Sequence, residues 1–154
     1  MAEAQTELTI DGGILVGHDG SPASSQAVVW AARHAARLGD PLHVLRAWKM
    51  TNAPRPASLH PGYVPPLSEF EDAVLHQLSR QIEGLGLPTA CDVRLHAVHG
   101  QSADKLIEAA ARAELVVVGA RGAGGFRGLL LGSTADQVMR HAPCPVVVVP
   151  GGRD

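Results

Sequence analysis

Between Leu115 and Ser133 the chain changes character twice. Leu115 to Val118 is a short apolar, largely β-branched run that Gly119 closes. Gly122, Gly124, Gly125, Gly128 and Gly132 follow, and Ser133 stands where a helix N-cap is expected. Strand, glycine loop and helix start, in that order, form the arrangement with which α/β proteins hold phosphate groups. The loop bares backbone N–H groups at close range, and the positive end of the helix dipole faces the ligand.

The rest of the chain supplies the elements such a loop needs. Ile10 to Gly17 reads as a first strand, and His18, Asp19 and Gly20 as a turn. Ser21 with Pro22 starts a helix, through a hydroxyl N-cap and a proline at the first helical position. Ala27, Val28, Ala31, Ala35 and Leu38 form its apolar stripe and Gly39 ends it. Leu42 to Trp48 is a second strand, completing a βαβ unit whose strands should be parallel. Residues 51–66 carry Pro54, Pro56, Pro61, Pro65 and Pro66 and so form an irregular loop, either a surface excursion or a flap over a ligand.

Ser68 with Glu71 reads as a capping box for a helix bearing Phe70, Val74, Leu75, Leu78 and Ile82. Ala90 to Val98 alternates apolar with polar residues, as a half-solvated edge strand does. Ser102 caps a third helix, with Leu106, Ile107 and Ala110 on its apolar face. The last helix, from Ser133, buries Ala135, Val138 and Met139 and stops at Pro143. Val146 to Val149 is a final buried strand. Five strands alternating with four helices argue a doubly wound α/β domain with a parallel sheet. The expected limits are a loose tail over 1–9, one nucleotide-binding domain over 10–150, and a tail over 151–154.

Composition excludes several classes. A chain of 154 residues, 45% hydrophobic and 18% charged, suits one globular domain. A net charge of −2 with dispersed Lys and Arg argues against nucleic acid or an acidic membrane as the main partner. No apolar run approaches the roughly 20 residues of a bilayer span. Residues 1–9 lack the basic start of a signal peptide, so the cytoplasm is the expected address. Cys91 and Cys144 match no metal or redox spacing, and no histidine grouping has a third ligand, so no metal site is expected.

These residues resemble the universal stress protein family, in its nucleotide-binding branch. The branch pattern is Gly, two residues, Gly, nine residues, Gly and Ser or Thr. Here it reads Gly119, Ala120 and Arg121, Gly122, nine residues from Ala123 to Leu131, then Gly132 and Ser133. Ile14-Leu15-Val16-Gly17-His18-Asp19-Gly20-Ser21 is similar to the family's first strand and turn, and His141-Ala142-Pro143-Cys144-Pro145-Val146 to its closing junction. The likeness runs from about Ile10 to Pro150.

The resemblance implies strand order 3-2-1-4-5, helices on both faces, a homodimer through Val146–Val149, and ATP in the crevice, with Mg²⁺ brought by the triphosphate. The site residues it implies are Gly17, Asp19, Ala47, Gly119, Arg121, Gly122, Gly132, Ser133 and Thr134. Asp19 goes to the ribose and adenosine, the Ala47 backbone to the adenine edge, and Gly119, Gly122, Gly132 and Ser133 to the phosphates. A carboxylate suits ribose hydroxyls and is repelled by phosphate, which agrees. Ala120 stands where many relatives carry a small hydroxyl residue. Arg121 and Arg127 either neutralise phosphate or are solvated, and Asp19 also suits a plain turn.

No nucleophile with its base, no carboxylate pair and no loop lysine can be identified, so at most slow ATP hydrolysis is expected. The expectation is an ATP-binding stress or signalling module. The alternatives are a cyclic AMP-binding module, a ligand-free dimeric scaffold, or an adenylyl-transferring enzyme in which His18 is the nearest candidate.

Overall fold

The structure, a computed structural model, describes residues 3–121 and 131–151. Its elements are β1 (Ile14–Gly17), α1 (Pro22–Leu38), β2 (Leu42–Trp48), α2 (Leu67–Glu83), β3 (Val93–His99), α3 (Ser102–Ala109), β4 (Leu115–Gly119), α4 (Ser133–His141) and β5 (Val146–Val149). A short 3₁₀ turn, Ala110–Arg112, extends α3. The five strands form one sheet in the order β3-β2-β1-β4-β5, and every neighbouring pair is parallel.

Strand alternation divides the core in two. Ile14, Val16, Leu42, Val44 and Val117 face α1 and α2, meeting Ala27, Val28, Ala31, Ala35, Leu78 and Ile82. Leu15, Leu45, Val98, Val116 and Val118 face the other way, onto Leu106, Ala109, Ala135 and Val138 of α3 and α4. Helices on both faces explain why the inner strands read as continuous apolar runs.

Several local expectations are corrected. β1 starts at Ile14 rather than Ile10, because Gly12 and Gly13 take φ of 73° and 78°, which breaks the extended path. The expected loose tail is held from Gln5 onward: the His99 N–H donates to the Gln5 carbonyl (2.8 Å), and Leu8 and Ile10 are buried. Ser21 caps α1, accepting from the Ser24 N–H at 3.2 Å, with Pro22 behind it. The other three serines stand one or two residues inside their helices. Pro66, Gln101 and Gly132 occupy the N-cap positions of α2, α3 and α4, none with a side-chain capping bond. Glu71 accepts from the Gln5 N–H at 3.0 Å instead of closing a capping box. Leu38 and Met139, expected on buried stripes, are exposed. β5 is half-exposed along its whole length rather than buried, since it is an edge strand. β3 is the other edge, as its alternation suggested.

Residues 51–66 are irregular apart from an isolated antiparallel bridge between His60 and Tyr63, whose rings stack. The loop leaves the carboxyl end of β2, and Ser58 ties it to Glu69 of α2.

Candidate functional site

The carboxyl ends of β1 and β4 lie side by side at the point where the strand order reverses, which is where doubly wound sheets open a crevice. Three contacts draw the surrounding loops together. The His18 N–H donates to the Leu45 carbonyl (3.0 Å), joining the turn after β1 to β2. The Gly132 N–H donates to the Ala120 carbonyl (2.6 Å), and the Ala120 N–H to the Val149 carbonyl (2.9 Å), joining the end of β4 to α4 and β5. At Gly119 the main chain passes close under the first turn of α1: a Cβ there would stand 3.0 Å from the Ala23 carbonyl oxygen.

The turn is held from α1. Asp19 Oδ1 accepts from the Ser21 N–H (2.9 Å) and the Ser24 hydroxyl (2.8 Å), while the Asp19 N–H donates to Ser24 Oγ (3.2 Å). Asp19 itself is exposed. Behind the turn lies a buried polar group that sequence reasoning missed. Arg46, 7% exposed, donates from Nε to the His18 carbonyl (2.8 Å), from Nη1 to Gln77 (3.2 Å) and from Nη2 to Gln81 (2.6 Å). Nη2 also donates to His18 Nδ1. The signal was in the parity of β2: Arg46 shares its face with Leu42 and Val44, so a charged side chain was bound to be buried.

A guanidinium can only donate, so His18 Nδ1 carries no proton and Nε2–H faces Ser25 Oγ at 3.1 Å. Burial, then the charge of Arg46, lowers the His18 pKa from 6.5 to about 4, with Asp19 opposing. A second missed pair lies lower in the sheet. His43 Nδ1 and His96 Nε2 are 2.9 Å apart, and burial, then His43 and Arg94, takes His96 down to about 4.

These histidines make stability depend on pH. A folded pKa of about 4 against an unfolded 6.5 means the unfolded chain binds more protons between those values. Stability is therefore full above about pH 6.5 and falls toward pH 4, by at most about 1.4 kcal/mol per pH unit for each histidine. Calorimetry should give a lower melting temperature at pH 5 than at pH 7.5, by roughly 2–4 °C for each kcal/mol lost. Equal melting temperatures would count against the neutral state of both rings.

The sequence model of the universal stress protein family matches residues 13–150. The chain belongs to the universal stress protein family. It is 32% identical over 168 aligned positions to a universal stress protein of Mycobacterium tuberculosis, covering 97% of this chain and 50% of the relative. It is 37% identical over 142 positions to one of Mycolicibacterium smegmatis, covering 88% and 45%. The chain thus spans about half the length of the relatives it matches. Among solved structures, a universal stress protein in complex with cAMP is 27% identical with a TM-score of 0.62, over 98% of this chain and 100% of that one. UspA from Lactobacillus plantarum is 25% identical with a TM-score of 0.69, over 93% and 99%.

The universal stress protein pattern can be placed residue by residue. Gly17 ends β1 beneath the Leu106 side chain, and Asp19 stands in the following turn. Ala47 is half-buried in β2, opposite Val98 of β3. Gly119 ends β4, with exposed Arg121 just beyond. Gly132 precedes α4, and Ser133 and Thr134 are its first two residues. Gly122, with Gly124, Gly125, Arg127 and Gly128, lies outside the described residues. A cavity of about 350 Å³ on the outer face of α1, lined in part by Trp30, Leu85 and Val149, contains none of the pattern residues. Among the described residues no three His, Cys, Asp or Glu side chains converge as metal ligands, and no helix is long and apolar enough to cross a membrane.

Proposed function

We propose that this universal stress protein is an ATP-binding stress or signalling module, with at most slow hydrolysis. The observation that carries the reading is the Gly119-x₂-Gly122-x₉-Gly132-Ser133 spacing, running from the end of β4 to the start of α4 where β4 neighbours β1, the strand that leads into the Asp19 turn. The first N–H groups of α4 are not used within the helix, and exposed Ser133 adds a hydroxyl beside them. That is a donor set for phosphate oxygens, and the Asp19 carboxylate suits ribose hydroxyls. Mg²⁺, a hard cation that favours phosphate oxygens, arrives with the triphosphate. The protein acts in the cytoplasm as a homodimer joined through β5.

Asp19→Asn tests the site while sparing the turn, because the amide oxygen still accepts from Ser21 and Ser24. Loss of the charge-assisted ribose bonds should weaken ATP about tenfold in calorimetric titration, with the melting temperature nearly unchanged. Unchanged affinity would leave Asp19 a turn former only. The relative solved with cAMP favours a second reading, a cyclic AMP-binding module. Competition of cyclic AMP against bound ATP separates the two. A chain binding neither, with no nucleotide released on denaturation, would be a ligand-free scaffold.

A further inference from the structure

We infer that Arg46 is the positioning residue of the nucleotide turn: from the buried face of β2 it grips the His18 main chain and ring and so sets where Asp19 stands. The inference rests on the nucleotide reading of the crevice, since that reading gives Asp19 its task.

A buried guanidinium is costly to desolvate and persists where its donors are well matched. The contacts of Arg46 divide into two sets. Gln77 and Gln81 of α2 hold the guanidinium in place through their side-chain oxygens. The remaining contacts, from Nε and Nη2, both go to His18, one to its carbonyl and one to its ring. The arginine therefore clamps one residue of the turn at two points, immediately before Asp19. The clamp is directional, because it admits only the ring tautomer whose Nε2–H reaches Ser25 of α1. Gly20, the next residue of the turn, lies over the same group: a Cβ built on it would make ordinary van der Waals contact, at 3.8 Å, with Arg46 Nη2 and Gln81. Asp19 is thus fixed from below by β2 and α2 through Arg46, and from ahead by Ser21 and Ser24 of α1. Electrostatics point the same way, since Asp19 favours the charged form of Arg46 against the pull of burial.

The test compares the full chain with Arg46→Met, which keeps an unbranched apolar stem without donors, and Arg46→Lys, which keeps the charge but not the fork. The readouts are the His18 ring tautomer by ¹⁵N NMR, the amide signals of residues 18–21, and ATP affinity. Wild type should show the Nε2–H tautomer. Arg46→Met should lose that preference, shift the four amide signals and weaken ATP about tenfold to a hundredfold, with Arg46→Lys intermediate. A wild-type ring in the Nδ1–H form overturns the inference, as does an undisturbed turn in Arg46→Met. So does a disturbed turn that binds ATP as wild type does. If wild type binds no nucleotide, the functional reading falls while tautomer and amide signals still decide whether Arg46 holds the turn. If Arg46→Met does not fold, Arg46→Lys carries the same readouts.

Discussion

Gly119→Val is expected to abolish measurable ATP binding and to lower the melting temperature. The atoms a Cβ would meet are all main chain: the Ala23 oxygen at 3.0 Å, the Ala23 carbonyl carbon at 3.1 Å and the Ser24 nitrogen at 3.3 Å. None can rotate aside, so the first turn of α1 must move away from the end of β4. Overpacking of this kind costs about 1–3 kcal/mol, or very roughly 2–12 °C for a chain of this size. The displaced turn is the one whose Ser21 and Ser24 hold the Asp19 carboxylate. The added side chain points at α1, so the substitution disturbs the Asp19 end of the proposed site and, at the end of β4, the main chain that leads into the glycine loop. Calorimetric titration alongside thermal melting separates the two effects. A folded Gly119→Val protein with wild-type affinity would show that the close approach at Gly119 serves packing alone.

The fold was legible because its strands carry their own signals. Leu42 to Trp48 and Val146 to Val149 were found to the residue: Pro145 and Pro150 bound an all-valine run, and Leu42 follows directly on Pro41. Helix starts were less legible. A capping hydroxyl contributes about 0.5–2 kcal/mol, which is outweighed where the preceding residue already takes the extended entry conformation. Pro66 does so with ψ 156° and Gly132 with ψ 165°, and the helices begin one residue before Ser68 and at Ser133. The two buried polar groups needed three-dimensional information. His43 meets His96 only because β2 and β3 pair in a register that no local pattern specifies. The parity of Arg46 was readable, but its partners on α2 and in the β1–α1 turn were not.

The edge at β5 supplies the second large effect, on assembly. The carbonyls of Pro145 and Val149 accept from Val116 and Ala120 of the β4 segment. Backbone groups of a strand alternate sides, so Val147 also faces β4, while the N–H and C=O of Val146 and Val148 face outward. An edge of four half-exposed valines is an open template for another strand. If two copies pair there about a two-fold axis, each lost donor is lost twice. Val148→Pro removes an outward N–H and leaves the ladder to β4 in place, at the kind of edge position where proline is tolerated. It should raise the dimer dissociation constant about a hundredfold, as two unsatisfied partners imply. The melting temperature of the monomer should change little. Val147→Pro, by contrast, removes a donor facing β4 and should destabilise the sheet itself. Light scattering after size exclusion reads the mass of each variant, and a Val148→Pro protein that remains as dimeric as wild type would place the interface elsewhere on the molecule.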